Sequence, residues 1–185
     1  MNDQQLVALC KKGDRLAFEE LINRYYLPLY KFFYKHIFDP KASEDLTHDV
    51  VIKLIENIDK YRSYFNSKFS TWLFKIAYNT YLDYVRKRPA DREAAYEEAA
   101  AGIPCEKDML DRVVQQLDAK KLKQKIDELP AEMKSLIVLR YFKDFSYSDI
   151  GKIMGMGPKT VKWKLHNAME RLKKTLKTAE VGMGR

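Results

Sequence analysis

Apolar residues recur at three- and four-residue steps along most of the chain, and no strand-like alternation of useful length interrupts them. Asp14 is a good N-cap for a helix over Arg15–Phe38, on which Phe18, Leu21, Ile22, Tyr25 and Tyr26 share the helical period. Asp39-Pro40 supplies a second cap with proline at the first helical position. The helix it opens carries Leu46, Val50, Val51, Leu54, Ile55 and Ile58 on one stripe, with Asp45, His48, Asp49, Lys53 and Glu56 on the other face. After a loop at Tyr61–Phe69, Ser70 is placed to cap a helix running through Trp72, Ile76, Leu82 and Val85 to Arg88. The N-terminal unit reads as a bundle of about four helices.

The C-terminal part repeats this pattern in shorter pieces. Leu117, Leu122, Ile126 and Leu129 form one stripe, ended by Pro130. Met133, Leu136, Ile137 and Tyr141 form a second, ended near Lys143-Asp144. Ser146-Tyr147-Ser148-Asp149 resembles a capping box, with aspartate in place of the usual Glu or Gln, and opens a short helix to Met154. Gly155-Met156-Gly157 is the turn, and Pro158 starts the last helix. Ile150, Gly151, Gly155, Met156 and Val161 have helix-turn-helix spacing: a small residue at 151 lets the helices approach, and Gly155 takes the left-handed turn. At about 100° per residue, Val161, Leu165, Ala168, Leu172 and Leu176 share the inner face of the last helix. Lys159, Trp163, His166, Asn167 and Glu170 lie opposite, with Lys162 and Lys164 on the flanks. A narrow apolar stripe with a cationic outer face suits the major groove, where base edges are read and lysines meet phosphates. An ordinary helical hairpin with a solvated lysine face is the competing reading, against which Trp163 on the outer side argues.

Composition adds an architecture. The 185 residues, 46% hydrophobic and 32% charged, are enough for one or two domains with real cores. No run approaches the ~18 apolar residues of a spanning helix. Met1–Gln5 has neither the basic start nor the apolar stretch of a signal peptide. Cys10 and Cys105 match no metal or redox spacing, so a reducing cytoplasm is the expected compartment. The formal charge of +8 resolves into +4 over residues 1–88, −5 over 89–118 and +9 over 119–185. The expected fold is all-α: two small helical domains, an N-terminal bundle and a C-terminal helix-turn-helix domain, joined by a flexible acidic linker. Catalysis is not expected. No paired carboxylates sit in a pocket-forming motif, no HExxH or P-loop is present, and His36, His48 and His166 are scattered. Neither a metal, a cofactor nor a small-molecule substrate is implied.

Residues 61–84 concentrate nine aromatics, Tyr61, Tyr64, Phe65, Phe69, Trp72, Phe74, Tyr78, Tyr81 and Tyr84, among the cations Arg62, Lys68 and Lys75, with Arg86, Lys87 and Arg88 following. Aromatic faces stack unpaired bases while cations hold the backbone, which suits single-stranded DNA. Phe74 and Tyr81 fit the core better, whereas Arg62–Phe69 has no obvious core to fill. Separating strands in one domain while binding duplex in another points to transcription initiation.

These residues resemble a bacterial RNA polymerase sigma factor of the extracytoplasmic-function (ECF) group, in the sigma-70 family. The likeness rests on Asp45-Leu46-Thr47-His48-Asp49-Val50, on Phe69-Ser70-Thr71-Trp72-Leu73-Phe74-Lys75-Ile76-Ala77-Tyr78-Asn79 with Asp83 and Arg86-Lys87, and on Leu129-Pro130. It continues in Leu139–Phe142, Phe145–Ile150, Thr160-Val161-Lys162 and Leu165–Ala168. The resemblance implies sigma domain two over residues 1–88, the linker over 89–118, domain four over 119–178, and a tail over 179–185. It implies that Asp45, Leu46, His48, Asp49 and Lys53 bind core polymerase at its clamp coiled coil, with the flap as a further contact. Arg62, Tyr64, Asn66, Lys68, Phe69, Trp72, Lys75, Asn79 and Arg86 are then the minus-ten residues, opening the duplex and capturing a flipped base. Lys159, Thr160, Lys162, Trp163, Lys164, His166, Asn167 and Arg171 are the minus-thirty-five readers. An anti-sigma factor, often at a membrane, is a further implied partner, and the linker would pass through the cationic RNA-exit region. The chain departs from the family at His48 for glutamine, Lys159 for glycine, Trp163 for a small residue, Asn167 for arginine and Gly151 for alanine. Asn167 favours adenine over guanine, and Gly151 lowers helix propensity. A dimeric helix-turn-helix regulator that never melts DNA is the alternative, distinguished by residues 61–79.

Overall fold

The computed structural model describes residues 1–62, 68–87 and 128–181, with side chains to Lys174. The chain divides into two compact units.

Among the described residues, the N-terminal unit is built from four helices, α1 (Asp3–Cys10), α2 (Arg15–Ile37), α3 (Pro40–Asn57) and α4 (Phe69–Arg86), with a 3-10 turn at Ile58–Lys60. Helix α1 has its own sequence signal, Asn2-Asp3-Gln4-Gln5 being a capping box once Asp3 is read as the first helical residue. The Asn2 side chain accepts from the Gln5 amide at 2.9 Å and Gln5 accepts from the Asn2 amide at 3.0 Å. Gly13, at φ +84°, turns the chain into α2, whose cap is Asp14, accepting from the Ala17 amide at 3.1 Å. Helix α2 continues through Pro28, where one ladder bond is lost, because Ala17, Leu21, Leu29, Phe32, Phe33 and His36 are buried along its length. It ends where Phe38 turns left-handed. Asp39 then caps α3 through the Ala42 amide at 3.1 Å, with Pro40 in the first turn. Helix α3 packs on both α2 and α4. His36 sits in the core between the Phe32 and Tyr81 rings, each 4.3 Å away, and donates from Nδ1 to the Phe32 carbonyl at 2.7 Å.

Three expectations for this unit are corrected. Ile55 is 48% exposed rather than on the core stripe of α3, which consists of Ser43, Leu46, Thr47, Val50 and Leu54. Helix α4 begins one residue before Ser70, with Lys68 at the cap position and no side-chain cap bond; burial of Phe69 anchors that end instead. The buried face of α4 is Phe69, Leu73, Phe74, Ala77, Tyr78 and Tyr81, so Phe74 and Tyr81 are core as expected. Trp72, Ile76, Leu82 and Val85 are only half-buried. Aromatic residues occupy both sides of this helix, and hydrophobicity alone does not choose between them.

Among the described residues, the C-terminal unit comprises α5 (Ala131–Ile137), a π turn at Val138–Phe142, α6 (Tyr147–Met154) and α7 (Pro158–Val181). Leu117, Leu122 and Ile126, and the acidic segment, lie outside the described residues. The π turn finishes α5: the Phe145 amide donates to Leu139 at 3.1 Å, and Arg140 donates to the Phe145 carbonyl at 3.0 Å while lying 4.9 Å over the Tyr147 ring. Ser146 caps α6 through the Asp149 amide at 3.1 Å, and its hydroxyl donates to the Asp149 carboxylate at 2.6 Å. Gly155 takes φ +74° and closes the helix onto the Gly151 carbonyl. At Gly151 a Cβ would come within 2.5 Å of the Met156 carbonyl oxygen. Glycine is therefore a fit to a close backbone approach, and more than a loss of helix propensity. Val161, Leu165, Ala168 and Leu172 are fully buried on the inner face of α7, as the wheel predicts.

Candidate functional site

The outer face of α3 carries Asp45, His48 and Asp49, all exposed, at steps that keep them on one side of the helix. Ile52, 54% exposed, and Ile55 lie on the same side, so two branched apolar residues sit in water among carboxylates. An exposed aliphatic pair rimmed by charge is a mark of a protein-binding surface. The helical pattern puts Ile55 with the core residues; for Ile52, the wheel position beside Asp45 and Asp49 is the signal in the sequence. His48 is held by the Tyr26 hydroxyl of α2 at 3.1 Å. Leu46 is buried and Lys53 half-buried, its ammonium donating to Thr80 of α4 at 2.9 Å, so both support this face from beneath or beside it. Between α3 and α4 runs a groove of about 500 Å³ lined by Asp39, Asp45, Asp49, Lys53, Asp83 and Lys87 among others. It extends the charged surface toward α4, with four aspartates and three lysines, Lys41 among them, along its walls.

On α4, Lys68, Trp72, Lys75, Asn79 and Arg86 follow one another at four-, three-, four- and seven-residue steps and therefore form a single line. Lys68, Lys75, Asn79 and Arg86 are exposed, and Trp72 is half-buried behind them. Arg86 pairs with Asp83 at 3.0 Å, an exposed contact that leaves the guanidinium accessible. Arg62 is exposed; Tyr64 and Asn66 lie outside the described residues. Phe69 departs from the expectation of a loop with no core to fill. It is 2% exposed and meets Tyr25, Tyr61 and Trp72 at centroid distances of 5.4, 5.3 and 5.6 Å. Tyr61 also meets Trp72 at 5.4 Å, which makes a four-ring cluster beneath the exposed line. Burial first, and a hydrogen bond to Asp3 second, push the Tyr25 phenol well above its ordinary range, so it remains a neutral donor.

On α7 the first turn is the open part. Lys159, Thr160 and Lys162 are exposed, as is Arg171 two turns further on. His166 and Asn167 are half-buried. Lys164 is not a free flank: it pairs with Glu132 of α5 at 2.8 Å. Trp163 is likewise only half-exposed, its indole Nε1 and the His166 Nδ1 both enclosed without a hydrogen-bond partner among the described residues. An N-terminal turn offering cations and a hydroxyl is the part of a recognition helix that reaches base edges and phosphates.

A family model described as Sigma-70 region 2 matches residues 21–90, and one described as Sigma-70, region 4 matches residues 119–172. Over 175 residues the chain is 32% identical to the ECF RNA polymerase sigma factor SigW of Bacillus subtilis, covering 90% of this chain and 92% of that protein. The chain belongs to the ECF group of sigma factors. The RNA polymerase sigma-H factor of Pseudomonas aeruginosa is 29% identical to it over 183 residues, covering 94% and 93% of the two chains. Among solved structures, CnrH in complex with the cytosolic domain of CnrY superposes with a TM-score of 0.70 at 21% identity, covering 95% and 97% of the two chains, and shares the fold. The sigma factor RpoE, in complex with the anti-sigma factor NepR from Bartonella quintana, gives a TM-score of 0.65 at 25% identity, covering 91% and 98%. Both sigma regions thus fall on the two helical units, and the acidic segment falls mostly between the matched regions. Among the described residues of this sigma factor, no helix is long and apolar enough to cross a membrane, and no group of three or more His, Cys, Asp and Glu could hold a metal.

Proposed function

We propose that this sigma factor directs core RNA polymerase to promoters through three separate faces. The outer face of α3, with Asp45, His48, Asp49, Ile52 and Ile55, docks on the clamp coiled coil. Carboxylates steer the approach, and the two isoleucines supply apolar area once water is excluded. The exposed line of α4, together with Arg62, holds the melted minus-ten strand, its cations on the backbone and Trp72 beneath the bases. The first turn of α7 reads the minus-thirty-five duplex, and domain four also meets the flap. Domain two then spans residues 1–88, the linker 89–118, domain four 119–178 and the tail 179–185, with the linker's net charge of −5 suited to a cationic RNA-exit channel. The observation that carries this reading is the alignment of Lys68, Trp72, Lys75, Asn79 and Arg86 on one side of α4, a surface that a duplex-only regulator has no use for. An anti-sigma factor is proposed as a further partner, supported by the relative solved in complex with NepR, and the exposed Ile52 and Ile55 make the α3 face the surface proposed for it.

Gel filtration with core polymerase tests the docking face. The chain is expected to co-elute, and replacing Ile52 and Ile55 together by aspartate is expected to weaken binding at least about tenfold. A chain that never co-elutes ends the proposal.

A further inference from the structure

Helix α1 precedes the part of the chain matched by the region 2 model, which begins at residue 21. It nevertheless ties down both described flanks of the minus-ten segment. At its C-terminal end, the Lys11 ammonium donates to the carbonyls of Tyr61 and, at 3.5 Å, Asp59, the closing residues of the 3-10 turn after α3. It also lies 5.9 Å from the centre of the Tyr61 ring. A cation at the carbonyl end of a turn satisfies groups that have no partner in the turn itself. At its N-terminal end, Asp3 accepts from the Tyr25 hydroxyl and, at 2.7 Å, from Arg24, which also donates to the Met1 carbonyl at 2.9 Å. Tyr25 packs edge-on against Phe69, the first residue of α4, and so holds the first turn of that helix. Tyr61 and Phe69 then meet each other. Leu6, Val7 and Cys10 are buried, which seats α1 against the bundle and makes it a fixed strut.

We propose that α1 is a positioning element for promoter opening: Lys11 and Asp3, neither on the DNA-facing line, set the placement of Arg62 on one flank and of Lys68 and Trp72 on the other. The inference rests on the reading of Arg62, Lys68 and Trp72 as strand-holding residues. Lys11 is the sharper test, because it is exposed and its stem is preserved in Lys11→Met, while Lys11→Arg keeps a cation within reach of the same carbonyls.

The holoenzyme, reconstituted with core polymerase, is titrated with a fluorescent pool of random 12-nucleotide single strands, alongside polymerase affinity and the thermal midpoint of the free chain. Lys11→Met is expected to weaken single-strand binding about fivefold, with polymerase affinity and the midpoint unchanged, and Lys11→Arg to recover most of the loss. Tyr25→Phe, which removes only the hydroxyl that meets Asp3, is expected to move binding in the same direction. A double Arg62→Ala, Lys68→Ala variant reports on the underlying reading. If that variant binds the pool like the wild type, the strand-holding reading falls and the inference with it. If that variant weakens binding while Lys11→Met does not, the reading stands and α1 has no positioning role. A loss in Lys11→Met that is matched by a lower midpoint, or is not recovered by arginine, makes Lys11 a general stabiliser and overturns the proposal.

Discussion

The two helices proposed to meet DNA solve different problems. In α7 the residues that hold the helix and those that face outward are chemically distinct: Val161, Leu165, Ala168 and Leu172 are buried, while Lys159, Thr160 and Lys162 are exposed. In α4 the first turn does both jobs with the same kind of residue. Phe69 is core, Trp72 is half core and half surface, and Tyr61 closes the cluster from the preceding turn. A duplex reader needs only a rigid rod with cations in front, so stability and recognition separate. A surface that takes unpaired bases needs aromatic rings near solvent, and the least costly way to hold such rings is to pack them on the core. On the proposed roles, recognition by α4 is therefore coupled to stability, and recognition by the exposed first turn of α7 is not.

The largest effect is expected from Phe69→Ala. Loss of a fully buried ring costs about 3–5 kcal/mol, and promoter opening should fall with it. Thermal unfolding and permanganate reactivity of promoter thymines read both together, while Lys75→Ala on the same helix should lower reactivity with no change in midpoint. An unaltered midpoint in Phe69→Ala would break the coupling. Next comes Gly151→Ala. Its Cβ would meet the Met156 carbonyl oxygen at 2.5 Å, and relieving such overpacking costs about 1–3 kcal/mol. The loss should be confined to the C-terminal unit, seen by amide exchange of α6 and α7 against α2 and α3. Smallest is Lys162→Ala, which should leave stability alone and reduce the salt slope of duplex binding by about 1, one phosphate contact. A drop in midpoint there would show that α7 is coupled as well.

The same contrast explains what was legible. In α7 aliphatic and charged residues alternate with helical period, and the inner face followed directly from the wheel. Asp14, Asp39 and Ser146 announced three helix starts, because a cap is a local rule that tertiary packing did not override. On α4 the pattern was ambiguous: rings occur on both sides, so the stripe through Ile76 and Val85 was chosen over the true one through Leu73, Ala77 and Tyr78. Ile55 misleads for the converse reason, since it is apolar and in helical register with the core stripe yet is exposed. The ties Lys11–Tyr61 and Lys53–Thr80 span 50 and 27 residues, and no local pattern predicts which lysine will turn inward. Function was legible through several ordered motifs, whereas the division of each motif into supporting and contacting residues required the fold.

The central claim is that one chain docks on polymerase, reads duplex and opens it. Run-off transcription tests it most directly, using core polymerase and a promoter located by start-site mapping after overexpression of the chain. A transcript that begins at the mapped start is expected only when the chain is added, and is expected to be lost when Lys68, Lys75 and Arg86 are replaced together by alanine. Promoter binding by the chain without any added transcript would contradict it and favour a regulator that never melts DNA.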